Sequence, residues 1–230
     1  MNDLFVESVF FGVVLSLVAY EAGVQLKKRM DFILFNPLLL AIAITMVVLL
    51  ACHVDYDTYY EGAKYLSYLL TPATVCLAIP LYQQMELLKG NWKAIVVGIC
   101  TGVLTSLTSV LVFSLVAGLN HKQYVTMLPK SITTAIGMGV SEELGGYVTI
   151  TVAVIVITGL FGNMIADIIC KVFRIEEPIA KGIAIGSSAH AMGTSKAMEM
   201  GEIEGAMSSL SIAVAGLLTV VGASVFANFI

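Results

Sequence analysis

Five long stretches of this chain carry almost no charge, and they restrict the environment in which it can fold. Leu4 to Val24 is almost wholly apolar, with Glu7 and Glu21 near its ends. Phe32 to Cys52 and Met207 to Ile230 carry no charge at all, and the 25 residues after Lys93, up to Gly118, carry none either. Tyr147 to Ile169 contains one charge, Asp167. A bilayer core is crossed by about 20 apolar residues of helix, and each run supplies that length. The runs are rich in Val and Ile but lack strict alternation, and backbone in lipid must bond within itself, so helices are expected rather than strands. Composition agrees: 58% of the residues are apolar and 12% are charged, the latter about half the usual share for a soluble domain.

The first run is read as a retained span rather than a cleavable signal. Asp3 and Glu7 stand where a signal peptide carries positive charge, and no clear cleavage site follows. Cys52, Cys76, Cys100 and Cys170 lie far apart, with no metal or redox spacing, and are expected to be small buried hydrophobes. A net charge of −4 offers no nucleic-acid footprint. No H-E-x-x-H or G-x-S-x-G arrangement is present, so neither metal, cofactor nor catalytic residue is expected.

The basic loop Lys27-Lys28-Arg29 belongs in the cytoplasm by the positive-inside rule, which puts the N-terminus outside. The next loop, with Asp55, Asp57 and Glu61, then faces outward. The rest of the chain repeats. Glu86, Glu143 and Glu199 are 57 and 56 residues apart, and Gly102, Gly159 and Gly216 are 57 and 57 apart. Pro72 and Pro129 each precede their glutamate by 14 residues, while the third copy has Ile185 there. The pattern is read as one transmembrane domain, 1–230, with scaffold helices at 4–60 and repeat-like units at 61–118, 121–170 and 179–230. Each unit is an interrupted segment, a short polar turn and a full span.

The interrupted segments are Tyr65 to Tyr82, Leu128 to Gly146 and Ile183 to Gly201. They hold Pro72 and Pro80, then Pro129 with Gly137 and Gly139, then Gly186 and Gly193 among serines and threonines. Proline and clustered Gly, Ser and Thr weaken helices, and irregular backbone at membrane depth survives only inside protein or beside a wet cavity. The alternative is that small residues merely let helices pack closely, the expected role of Gly98, Gly102, Gly159, Gly162 and Gly216 in the full spans.

Lys130 either snorkels to an interface or attracts an anion. His190 is either a satisfied core histidine or a proton-sensitive ligand. Helix starts near Ser131 and Thr194 would favour a carboxylate. The candidate binding set is Thr71, Thr74, Lys130, Ser131, Thr133, Thr134, Ser187, Ser188, His190, Gly193 and Thr194. Glu142, Asn163 and Asp167 are candidates for the cavity wall or for ion coupling, though Asn163 and Asp167, four apart, could equally pair across helices. If the second and third interrupted segments are re-entrant, the loop with Lys171, Arg174 and Lys181 returns to the cytoplasm, and the repeats enter from opposite faces. That topology is preferred over eight full spans. The expected fold class is thus an all-α polytopic membrane protein of inverted units.

Leu70-Thr71-Pro72-Ala73-Thr74-Val75 with Ile79-Pro80-Leu81-Tyr82 resembles the LrgB/CidB family. So do Leu128-Pro129-Lys130-Ser131-Ile132-Thr133-Thr134 with Ser141-Glu142, and Gly186-Ser187-Ser188-Ala189-His190-Ala191-Met192-Gly193-Thr194 with Glu199. One departure is Ala135, where many relatives have proline. The resemblance covers nearly the whole chain. It implies a bacterial inner-membrane protein with either of two roles. One is antiholin-like modulation of murein hydrolases and lysis beside a small LrgA/CidA-type membrane partner. The other is carriage of small carboxylates such as pyruvate or glycolate, coupled to protons or sodium. A homodimer is expected by analogy. A lytic pore has no evident need for a repeated, interrupted, lysine-bearing core, so the carrier is the favoured expectation.

Overall fold

Every element among the described residues is helical, as a chain surrounded by lipid requires. The structure is a computed structural model and describes residues 10–30 and 35–230. It divides into two compact units, Met1–Cys76 and Leu77–Ile230.

In the first unit α1 (Phe11–Arg29), α2 (Pro37–Cys52) and α3 (Tyr56–Ser67) are followed by the short α4 (Leu70–Cys76). The start of the first apolar run, 4–9, and residues 32–34 of the second lie outside the described residues. Lys27, Lys28 and Arg29 form the last turn of α1 rather than a loop, where cations complement the exposed carbonyls. The second helix has only 16 residues. Asn36 sets its start by accepting from the amides of Leu38 and Leu39 at 2.9 and 3.3 Å, with Pro37 in the first turn. The expected acidic loop is also helical. Asp55 precedes α3, and Asp57 and Glu61 lie within it, the latter paired with Lys64. Gly12 and Gly23 of α1 let it approach the backbone of α3 and α2.

The second unit begins with α5 (Ala78–Gln83) and then the long α6 (Met85–Ala117). The first interrupted segment thus becomes short helices, and Glu86 falls in the first turn of α6 rather than in a polar turn. Next come α7 (His121–Met127), α8 (Thr134–Glu143), α9 (Val148–Val172), α10 (Pro178–Met200) and α11 (Glu202–Phe226). Among the described residues three helices are long and apolar enough to cross a membrane: Met85–Ala117, Val148–Val172 and Glu202–Phe229. The protein is a multi-pass membrane protein. One stripe of α6 is buried, Ile95, Ile99, Val103, Leu107 and Val110, at the spacing of a single helical face. It packs with Tyr124, Leu128, Met207 and Ala215 in one core. The opposite face shows Val97, Leu104, Val112 and Val116 outward, the arrangement suited to lipid. Of the four cysteines expected to be buried, only Cys170 is, and Cys76 is exposed.

Candidate functional site

Two segments of the second unit double back on themselves. The first is the pair α7 and α8 around the turn 128–133. Thr126 in its descending arm and Ser141 in its returning arm meet the same side chain. The Thr151 hydroxyl of α9 reaches the Thr126 carbonyl at 2.9 Å and the Ser141 hydroxyl at 2.7 Å. The Tyr147 amide donates to the Thr126 hydroxyl at 2.8 Å. Thr126, Ser141 and Thr151 are all buried, so these bonds anchor the base of the hairpin to the first turns of α9.

The second is α10. Its backbone leaves the helical region at His190 (φ 42°, ψ −136°), and the chain folds back there. Thr194 and Gly186 both lie against Ser208 of α11, and Gly193 sits on Ala189 and Ile185. In a straight helix residues eight apart are about 12 Å apart, so arms 178–189 and 191–200 must run side by side. The return arm is held on α9 by the Asn163 amide donating to the Met192 carbonyl at 2.7 Å. Lys196 adds an ion pair to Asp167 at 2.8 Å, with Glu199 beyond it at 3.4 Å. Asn163 and Asp167 thus both bond across to the return arm.

The hairpins enter from opposite ends of α9. The base of the first is at Thr151, and the return arm of the second is at Asn163 and Asp167. Their tips arrive at its middle. Gly137 of the first hairpin lies between Ile155 and Pro129, and His190 of the second donates from Nε2 to the Ile155 carbonyl at 3.0 Å. The same tips meet neighbouring turns of α6, with Ser187 against Gly102 and Ser131 bonded to Ser106 at 3.0 Å. All five glycines expected to ease packing in the long helices do so against hairpin residues. Gly98 faces Ile183, Gly102 faces Ser187, Gly159 faces His190, Gly162 faces Ala189 and Gly216 faces Ile136.

Lys130 is at the tip of the first hairpin, half-buried, and donates to the Ser131 hydroxyl at 2.9 Å. Among the described residues no carboxylate lies within ion-pair distance of it. It closes the inner end of a cavity of about 400 Å³ that also takes in Thr158 and Ser188 and runs along α9 to Cys170 and Ile175. A second cavity of about 630 Å³ lies on the other side of arm 178–189, with Ser187 at its inner end and Glu177 at its outer end. Ile175 and Ala184 border both.

The sequence candidates thus fall into groups. Lys130, Ser131, Ser187 and Ser188 gather where the tips meet. Thr133 is the N-cap residue of α8 and Thr134 its first residue. Gly193 and Thr194 are buried inside the second hairpin, the Thr194 hydroxyl bonded to the His190 carbonyl at 3.0 Å and to Ser208 at 2.7 Å. Glu142 is exposed beside Ser141, at the base of the first hairpin and away from its tip. Thr71 and Thr74 belong to α4, with side chains outside the described ones. Sequence reasoning passed over Ser106, Thr158 and Ser208. A hydroxyl inside an apolar span was the available signal for all three, but it is too common in membrane helices to single them out.

These features define a polytopic α-helical membrane protein built around two opposed helical hairpins. The chain belongs to the LrgB-like family, whose model matches residues 16–229. It is 38% identical over 222 residues to the antiholin-like protein LrgB of Bacillus mycoides (strain KBAB4), covering 96% of both chains. The antiholin-like proteins LrgB of Bacillus cereus (strain B4264) and Bacillus anthracis (strain CDC 684 / NRRL 3495) match at the same identity and coverage. No solved structure matches the chain.

Proposed function

We propose that the protein is a carrier for small organic carboxylates, binding them where the two hairpin tips meet. The observation that supports this most directly is Lys130, a cation with no anionic partner among the described residues, at the inner end of a cavity. An unpaired charge at membrane depth costs roughly 3 kcal/mol, and an anion arriving from water would offset that cost. Helix α8 begins a few residues from Lys130, so its free amides add to the positive potential. Broken helices entering from opposite faces are a recurring way to build a site accessible from each side in turn. We read the two hairpins, each followed by a long helix, as the inverted units expected from the sequence intervals, within one transmembrane domain.

Charge distribution supports an orientation in the bacterial inner membrane. Lys89, Lys93, Lys171, Arg174 and Lys181 fall at the end of the second unit from which the second hairpin enters, and Lys122 falls at the other. The positive-inside rule makes the first of these ends cytoplasmic, so the cavity at Lys130 extends toward the cytoplasm. The same rule applied to Lys27, Lys28 and Arg29 puts the N-terminus outside. Coupling to protons or sodium, and pairing into a homodimer, belong to this reading.

The test is uptake of labelled pyruvate and glycolate by proteoliposomes across pH and sodium gradients. Saturable flux that Lys130→Ala abolishes is expected. Flux equal to that of empty vesicles under all gradients removes the proposal. The relatives' name favours a second reading, an antiholin-like modulator of lysis acting with a small LrgA/CidA-type membrane protein. That role predicts altered autolysis in cells that is indifferent to Lys130→Ala.

A further inference from the structure

We infer that His190 is a positioning residue: its ring locks the tip of the second hairpin onto the middle of α9 and takes no direct part in holding an anion. This deepens the carrier reading and rests on it for the consequence to transport.

A φ of 42° with ψ of −136° at His190 is a conformation that a residue with a Cβ adopts only under compulsion. Gly186 and Gly193 are near, so the chain had residues better suited to the break. Something must favour histidine at the reversal. The ring is that element. It is buried, 3% exposed, and lines neither cavity. Its Nε2–H donates to the carbonyl of Ile155 at 3.0 Å.

That carbonyl belongs to the spanning helix α9, where the residue four positions on normally screens it. Here that residue is Gly159. A Cβ on Gly159 would lie 2.5 Å from Cε1 and 2.8 Å from Nε2 of His190. Glycine therefore opens the approach to the Ile155 carbonyl, and the imidazole uses it. From the other side the His190 carbonyl accepts from the Thr194 hydroxyl at 3.0 Å, and Thr194 is bonded to Ser208 of α11. The tip is thus clamped between α9 and α11. The clamp fixes where the return arm begins, and with it the positive end of that arm relative to Lys130.

Hydrogen exchange of the tip amides 191–194 in nanodiscs, read beside carboxylate uptake, tests the lock. Gly159→Ala and His190→Ala should each speed exchange roughly tenfold or more, the loss expected for one buried hydrogen bond. The double variant should be no worse than His190→Ala alone, because the added methyl then has no ring to displace. His190→Gln, whose amide nitrogen extends as far as Nε2, should restore protection. Ser195→Ala, at an exposed hydroxyl on the return arm, should leave it unchanged. In uptake the tip variants should raise KM with a smaller effect on kcat, again rescued by glutamine. Additive effects of Gly159→Ala and His190→Ala, or no rescue by glutamine, would overturn the lock. If His190→Ala does not fold, the pair Gly159→Ala and His190→Gln still decides it. Should the wild type carry no carboxylate, the carrier reading fails, and the exchange pattern still decides the clamp on its own.

Discussion

The two hairpins meet at the same place on α9, yet they are held there by different means. The first is tied at its base by buried polar groups: the Thr151 hydroxyl bonds the Thr126 carbonyl and the Ser141 hydroxyl, and the Tyr147 amide donates to the Thr126 hydroxyl. Its Tyr124 hydroxyl also donates to the Phe226 carbonyl of α11 at 2.9 Å. The second is held at its tip by His190 and the buried Thr194–Ser208 pair, and on its return arm by Asn163 and by a partly exposed ion pair, while cavities flank its descending arm on both sides. Buried satisfied networks rigidify, whereas exposed ion pairs contribute little and cavities leave packing contacts unmade. The first hairpin thus presents Lys130 from a buried, bonded base, whereas the descending arm of the second lies between two cavities.

The largest effect should come from the residue at the meeting point. Lys130→Ala should lower uptake by two orders of magnitude or more, about 3 kcal/mol, with thermal stability retained. Uptake near the wild-type level would mean that no substrate binds at Lys130. Next, Ala184→Phe places a ring in the wall common to both cavities. It should cut uptake about tenfold, roughly 1.4 kcal/mol, without lowering the melting temperature, and a stability loss with normal flux would show that the cavities are not the route. Thr151→Val should do the reverse. It leaves two buried acceptors with one donor fewer and should destabilise by about 1–3 kcal/mol, read as a lower unfolding midpoint in detergent. Asn163→Ala should cost about 1 kcal/mol, confined to faster exchange on the return arm. The smallest effect belongs to Asp167→Asn. The ion pair it removes is partly exposed and should be worth less than about 1 kcal/mol, with a difference from wild type that shrinks as salt rises. A loss as large as that of Thr151→Val would mean the second hairpin is as firmly built as the first.

Much of this arrangement could be read from the residues alone. Long uncharged runs dictate helices in lipid, because no other structure of that length satisfies its own backbone there. Recurring glycines mark where those helices are approached closely, and proline, glycine and hydroxyl clusters mark which segments cross badly. Lys130 stands out by the cost of burying a charge in an apolar stretch. Other features depended on the tertiary structure. Several residues between Gly186 and Thr194 weaken the helix to similar extents. The break falls at His190 because the Ile155 carbonyl and the Thr194–Ser208 pair hold the reversed backbone there, and these partners come from elsewhere in the chain. The partners of Asn163 and Asp167, Met192 and Lys196, are set by where the return arm lies. The second apolar run forms a shorter helix than its length allowed, because Asn36 caps it from within. Ser106, Thr158 and Ser208 look like ordinary hydroxyls in spanning helices until the two tips arrive beside them.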